Sequence, residues 1–397
     1  MKKILVLIIS LSILLTACST GNEADIDNEN DNIIIDENPP VDDETDDEIT
    51  EPIVEDKDIF KVYNEDALKT LSALTLEEKI GQIFLVRCPV EEDLNSFLAM
   101  NPGGFILFGR DFVDKTKEEV VLNIENYQSS SKIPMIIGVD EEGGTVVRAS
   151  SNPLLSNERF KSPQELYEIG GMKEIENDAI LKSEFLLNLG INLNLAPVAD
   201  VSINETDFIN PRSFGKSAEE TSEYVKTVVN AMKKSGISGT LKHFPGYGNN
   251  VDTHTGSAYD KRPYDIFLKS DFLPFIAGIE TGAESILVSH NVIESMDETL
   301  PASLSKDVHD ILRDELKFTG IIMTDDLSMG AIQELEGIQS PEVLAVQAGN
   351  DMLIVTDFTT SYNSLLNAVK SGEISEERLD ESVLRILKWK YYMNIMK

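Results

Sequence analysis

Apolar residues along the chain gather into eight short runs bounded by turn-forming or charged residues, at 83–86, 104–108, 134–140, 192–201, 239–244, 285–290, 320–325 and 351–357. Several are near-continuous Ile, Leu and Val, the pattern of parallel strands buried on both faces. Amphipathic stretches separate most of them, and some open with helix-start signals such as Thr75-Leu-Glu-Glu78 and Ser217-Ala-Glu-Glu220, which fit a capping box. Eight alternations of strand and helix predict a single (β/α)8 barrel over a doubly wound sheet. No GxGxxG or GxxxxGK[ST] motif follows an early strand, which weighs further against a nucleotide-binding fold.

The first 58 residues follow neither period. Met-Lys-Lys precedes an apolar run from Ile4 to Leu15, too short to span a bilayer as a stable helix, and Leu15-Thr16-Ala17-Cys18 follows it. This is a secretory signal (1–18) whose small residues before Cys18 resemble a bacterial lipobox, so Cys18 is expected to carry lipid. Acyl chains worth about 0.8 kcal/mol per buried methylene would hold the protein at the extracytoplasmic face of the cell membrane. Residues 19–58 are rich in Asp, Glu and Asn and carry no aromatic residue; 17 acidic residues and one Lys lie between Asn22 and Asp58. Such a stretch buries too little apolar surface to offset its chain entropy, so it reads as a disordered acidic tether. The formal charge of the whole chain is −36, and the 59–397 body still holds about −22, which argues against nucleic acid as a partner. With only Cys18 and Cys88 present, neither a disulfide framework nor a cysteine metal cluster is expected.

Polar residues fall where barrel chemistry needs them. Asp140, Asp200, Lys242 with His243, His290, Asp325 and Asp357 each sit at the C-terminal end of a predicted strand, the end at which βα loops build active sites. After the fifth strand, Pro245, Gly246 and Gly248 open a loop carrying Asp252 and His254, a pair in which the carboxylate orients the imidazole as a proton shuttle. Asp325 and Asp326 directly follow the seventh strand. The first is a candidate nucleophile, whereas Asp326 is expected to cap a helix running through Ala331 to Leu335. His309 lies mid-helix and reads as surface or packing, and His290 as either structural or supporting. Gly143-Gly144 suits close backbone approach at a turn.

Five segments, in order, resemble glycoside hydrolase family 3: Gly-Val-Asp-Glu-Glu-Gly-Gly from Gly138, Asn-Leu-Ala-Pro-Val-Ala-Asp from Asn194, Pro-Arg-Ser-Phe-Gly from Pro211, Lys-His-Phe-Pro-Gly from Lys242 with Asp-Thr-His from Asp252, and Thr-Asp-Asp-Leu-Ser-Met from Thr324. Within the family the likeness is to β-N-acetylglucosaminidases acting on peptidoglycan fragments, and it spans about Thr75 to Trp389. The resemblance implies Asp325 as nucleophile, His254 as general acid/base with Asp252 as its partner, and Asp140, Arg148, Arg212, Lys242 and His243 as sugar-binding residues. It implies a retaining, two-step reaction with a covalent glycosyl-enzyme, no metal and no cofactor, and a muropeptide or other N-acetylglucosamine-containing glycan as substrate. A histidine acid/base repels an anion less than a carboxylate would, which leaves a phosphorylase open beside a hydrolase, as is a β-glucosidase.

The sequence departs from the family pattern at Tyr247, Asn249 and Asn250, where Gly-His-Gly-Asp-Thr is usual, and at Thr145, where Arg is usual. These changes bear on loop packing and substrate preference and spare the nucleophile and the dyad. The chain ends soon after a final helix expected at 379–390, so a second α/β domain found in many relatives is expected to be absent; a monomer is the default. Two rival functions compete with the glycosidase. A zinc hydrolase would need His243, His254, His290, Asp140 and Asp325 to converge, without an early His-x-His or an HExxH motif. A non-catalytic sugar-binding lipoprotein would be marked by loss of Asp325, His254 or Asp252, and all three are present.

Overall fold

A computed structural model describes residues 58–397 apart from Glu336 and Gln339, so Cys18 and nearly all of the acidic segment lie outside the described residues. Eight strands occupy the eight apolar runs: β1 Phe84–Arg87, β2 Gly104–Leu107, β3 Ile136–Val139, β4 Leu193–Asn194, β5 Ser238–Phe244, β6 Ser285–Val288, β7 Ile321–Thr324 and β8 Leu353–Val355. All pairings are parallel, in the order β8-β1-β2-β3-β4-β5-β6-β7. A parallel bridge between Met323 and Met352 brings β7 beside β8, and the ring closes. Each strand is followed by a helix, among them Lys117–Ser130, Pro163–Leu187, Ala218–Ser235, Phe272–Thr281 and Phe358–Ser371. This is the expected (β/α)8 barrel.

Side-chain alternation divides the apolar residues into an inner and an outer core, because successive strand residues point to opposite faces. Leu85, Ile106, Ile136, Leu287, Met323 and Ile354 fill the barrel interior together with Trp389. Their neighbours Val86, Phe105, Ile137, Val288, Ile322 and Val355 pack outward against the helices. The final helix, Glu376–Tyr392, starts three residues earlier and ends two later than expected. Its Trp389 is fully buried and donates an indole N–H to Ser238 Oγ at 2.8 Å, which ties that helix to the start of β5.

Several local expectations change. The apolar run at 192–201 predicts a long fourth strand, yet β4 is only two residues long. Pro197 has no N–H to donate to a ladder, and the chain continues past it as a loop held by Ala199 N donating to Lys242 O. Thr75 and Glu78 form the reciprocal capping box, whereas at Ser217 only the half in which the hydroxyl accepts from Glu220 N is made. His309 is buried, its Nδ1 2.7 Å from Ser305 O, so it is a packing residue. Asp357 caps its helix by accepting from Thr360 N. None of the helices among the described residues is long and apolar enough to cross a membrane.

Candidate active site

The βα loops enclose a cleft of about 660 Å³ lined by all eight residues carried over from the resemblance: Asp140, Arg148, Arg212, Lys242, His243, Asp252, His254 and Asp325. They come from different strand ends, which only barrel closure brings to one place. The floor is an ion network. Lys242 Nζ lies 2.7 Å from Asp140 Oδ1 and 2.6 Å from Glu142 Oε1. Arg212 meets Glu142 through two bonds, Nε to Oε2 at 3.0 Å and Nη2 to Oε1 at 2.8 Å. Burial pushes the Glu142 carboxyl up, but the charges of Arg212 and Lys242 outweigh it and hold the group far below the usual carboxylate range. Burial likewise disfavours the Lys242 ammonium, and Asp140 and Glu142 overcome it, so its pKa rises.

Two residues of this floor received no role from sequence alone. Glu142 is buried and is the anion that seats both Arg212 and Lys242. Asp200, also buried, accepts on Oδ2 from His243 N at 3.1 Å and from His243 Nδ1 at 2.8 Å, and on Oδ1 from Tyr247 N at 2.7 Å. This network assigns the His243 proton to Nδ1 and leaves Nε2 to accept from Arg212 Nη2 at 3.1 Å. Glu141 does a third job: its two oxygens accept from the backbone N–H groups of Arg148, Ala149 and Ser150, which fixes the segment that carries Arg148. A Cβ on Gly143, at φ +107°, would fall 2.2 Å from Lys161 O, so this turn requires the glycine the sequence supplies.

The loop opened by Pro245, Gly246 and Gly248 is clipped at both ends. Tyr247, where the family usually has His, is buried and places its hydroxyl 2.6 Å from Thr253 Oγ1 while accepting from Thr253 N at 3.0 Å. Asn250 Nδ2 donates to Asp260 Oδ2 at 3.0 Å, so this departure also packs the loop. Beyond Thr253, whose carbonyl accepts from Ala331 N at 3.1 Å, Ser257 N donates to Glu334 Oε2 at 3.0 Å. These bonds draw the loop tip onto the segment following β7, where Asp325 lies. At the tip, Asp252 Oδ1 accepts from His254 N at 3.0 Å and from His254 Nδ1 at 2.7 Å. The imidazole is 60% exposed and its Nε2 is left for a ligand.

Asp325 is one residue past β7, half-buried, its N–H donating to Val288 O at 3.1 Å and its Oδ1 accepting from Asp326 N at 2.8 Å. Burial pushes its carboxyl up; the imidazoles of His290, His243 and His254 and the Asp326 N–H more than offset this and leave it below the ordinary range, hence ionised at neutral pH. Asp326 is not a helix cap. Its Oδ1 accepts from Ser328 N and its Oδ2 from Thr356 Oγ1, and the next helix, Gly330–Gln333, starts four residues on with no side-chain cap. His290 is buried, Nδ1 2.7 Å from Ser303 Oγ and Nε2 3.0 Å from Asp326 O, so it braces the turn that aims Asp325. Among the described residues no group of three or more His, Cys, Asp and Glu is placed to hold a metal ion. The ring nitrogens of His243 and His290 are already engaged by protein partners.

The sequence model of the glycosyl hydrolase family 3 N-terminal domain matches residues 75–389. The chain belongs to glycosyl hydrolase family 3. A β-hexosaminidase of Xanthomonas campestris pv. campestris (strain B100) is 30% identical over 255 residues, which cover 64% of this chain and 76% of that protein. A β-hexosaminidase of Actinobacillus pleuropneumoniae serotype 5b (strain L20) is 30% identical over 275 residues, covering 67% and 77%. Among solved structures, the family 3 β-N-acetylglucosaminidase of Paenibacillus sp. str. FPU-7 superposes with a TM-score of 0.76 at 29% identity, over 81% of this chain and 63% of that one. The β-glucoside phosphorylase BglX superposes at 0.74 and 25% identity, over 84% and 61%. This chain thus spans somewhat under two thirds of either structure. As a family 3 member it is a glycoside hydrolase.

Proposed function

We propose that this family 3 glycosidase is a retaining β-N-acetylhexosaminidase, removing non-reducing terminal N-acetylglucosamine from peptidoglycan-derived fragments. The observation that carries the reading is the meeting, in one cleft, of an ionised Asp325 with an Asp252–His254 dyad delivered by a loop clipped to Asp325's own strand end. The names of the β-hexosaminidase relatives support the sugar. In the first step His254 Nε2–H donates its proton to the glycosidic oxygen as a carboxylate oxygen of Asp325 attacks the anomeric carbon; the C–O bond to the aglycone breaks and an acyl-type glycosyl ester forms. In the second step His254, now a base, takes a proton from water, whose oxygen displaces Asp325. Asp252 holds the imidazole by its Nδ1 and favours the positive charge it carries. Asp140, Lys242 and Arg212, whose Nη1 is left over by the bonds to Glu142 and His243, are the donors and acceptors offered to sugar hydroxyl and acyl oxygens.

Incubation with an aryl β-N-acetylglucosaminide, with and without inorganic phosphate, tests the reaction through its sugar product. Free N-acetylglucosamine in both cases is expected. A sugar 1-phosphate would establish a phosphorylase instead, a second reading supported by the likeness to BglX and by the histidine acid/base; no turnover would leave a binding module or another glycoside. His254→Ala should slow substrates with poor leaving groups far more than activated aryl glycosides, since only the former need the proton; equal losses on both would remove His254 from the acid role. We further infer lipid attachment at Cys18 and a site of action on the extracytoplasmic face of the cell membrane, tested by metabolic labelling with a palmitate analogue in the intact chain and a Cys18→Ala variant.

A further inference from the structure

Of the four Arg and Lys side chains lining the cleft, Arg212 and Lys242 are held by Glu142 and Asp140. The other two, Arg87 at the end of β1 and Arg148 in the loop after β3, make no ion pair and no side-chain hydrogen bond among the described residues. Both approach one ring. The Arg87 guanidinium carbon lies 4.6 Å from the centroid of Phe108, and that of Arg148 lies 5.9 Å from it. The Nε of each is buried without a partner. One carboxylate within Coulomb reach of Arg87, Asp111, is engaged elsewhere: its Oδ2 accepts from Phe108 N at 2.7 Å, and Arg110 Nε stands 3.7 Å from its Oδ1.

Two guanidiniums without an ion pair in a half-enclosed cleft stand out in a chain whose formal charge is −36. Cation–π contact with Phe108 orients both but satisfies none of their N–H donors. Planar guanidinium forks are matched to oxyanions, which they bind through paired charge-assisted bonds. We propose that Arg87, held against the Phe108 ring beside the sugar-binding candidate Arg148, forms an oxyanion subsite that recognises an anionic substituent, carboxylate or phosphate, carried by the saccharide. This rests on the glycosidase reading of the cleft and adds a selectivity to it: Arg87 discriminates charged from neutral substrates. The Lys242–Glu142–Arg212 floor is internally neutralised and cannot serve this purpose, because an anion there would displace Asp140 or Glu142.

Two substrate pairs locate the charge. Phenyl and 4-carboxyphenyl β-N-acetylglucosaminide differ on the aglycone side; 4-nitrophenyl β-N-acetylglucosaminide with and without a phosphate on the sugar 6-oxygen differ on the glycone side. kcat/KM is measured for each with the intact protein, Arg87→Gln and Arg87→Lys. In one pair the anionic-to-neutral ratio is expected to fall about tenfold in Arg87→Gln, the size of one charge-assisted bond pair, to recover in part in Arg87→Lys, and to shrink with added salt in the wild type. The responding pair tells which part of the substrate bears the anion. Ratios that stay within about twofold in both pairs overturn the subsite while leaving the glycosidase intact. Failure of the wild type to turn over any neutral substrate instead overturns the functional reading, and calorimetric binding of the same four glycosides to the same three proteins then decides the subsite: the same loss of anionic preference supports it, its absence overturns it.

Discussion

Lys390 allows a stability prediction whose sign and size follow from its surroundings. It sits on the last helix, fully buried, with Nζ 2.6 Å from Gln82 Oε1 and no carboxylate beside it. Burial alone pushes its pKa down to about 7. In the unfolded chain a lysine titrates near 10.4, so between about pH 7 and 10 the unfolded state holds a proton the folded state has released. Unfolding free energy must therefore rise with pH in that window, by up to about 1.4 kcal/mol per unit from this group, or about 4 kcal/mol across it; below pH 7 both states are protonated and the burial penalty stands in full. Lys390→Met removes the penalty and costs the bond to Gln82, about 1–3 kcal/mol. The variant should accordingly match or exceed the wild type at pH 6 and fall below it at pH 10. Cys88 works the other way, since burial lifts its thiol to about 12 and favours unfolding above about pH 8.5, so the quantity to follow is the difference between variant and wild type. Urea unfolding at pH 6, 8 and 10, read by the fluorescence of the single buried tryptophan, Trp389, measures it. Parallel curves, with a difference constant to within about 1 kcal/mol, would refute the buried-amine reasoning.

Asp325→Asn should lower kcat by a thousandfold or more with no change in thermal midpoint beyond a few degrees, an order of magnitude set by loss of a covalent nucleophile at a half-buried strand end; near-normal turnover would move the role to Asp326. Because the Asp325 carboxyl lies below its ordinary range, it stays ionised as pH falls through 5, so an acid limb of kcat/KM centred at or above pH 5 must belong to another group, and its persistence in variants of that group would contradict the assignment. Glu142→Gln leaves Arg212 and Lys242 buried with one anion between them and should destabilise by about 3–5 kcal/mol. Glu142's lowered pKa means its stabilisation is complete above the unfolded carboxylate value near 4.3 and is lost as pH falls below it, so the wild-type and variant stabilities should converge in acid. Tyr247→Phe removes the acceptor of the buried Thr253 N–H, about 1–3 kcal/mol, and should reduce turnover of poor-leaving-group substrates more than that of activated ones by loosening the loop that carries His254.

Sequence by itself determined the barrel and the end of it at which the candidate site residues gather, because both are written in local periods. Eight Val-, Ile- and Leu-rich runs separated by helix starts specify alternating parallel strands and helices, and a polar residue following such a run, as Asp325 follows β7, must emerge at the C-terminal face. The motif order carried the eight site residues onto their positions, and every one of them lines the cleft. Tertiary structure alone decided which carboxylates neutralise which cations. Asp140, Glu141 and Glu142 are adjacent in sequence, yet one meets Lys242, one clamps the backbone at 148–150 and one seats Arg212 and Lys242, partners 70 and 100 residues away whose approach no local pattern encodes. Asp200 was visible as a strand-end acid, but its grip on His243 depends on the β4 chain leaving the ladder at Pro197 and returning beside β5. Asp326 is no cap for the same reason: Thr356, just past β8, donates to its carboxylate, and only closure of the barrel brings that hydroxyl within reach.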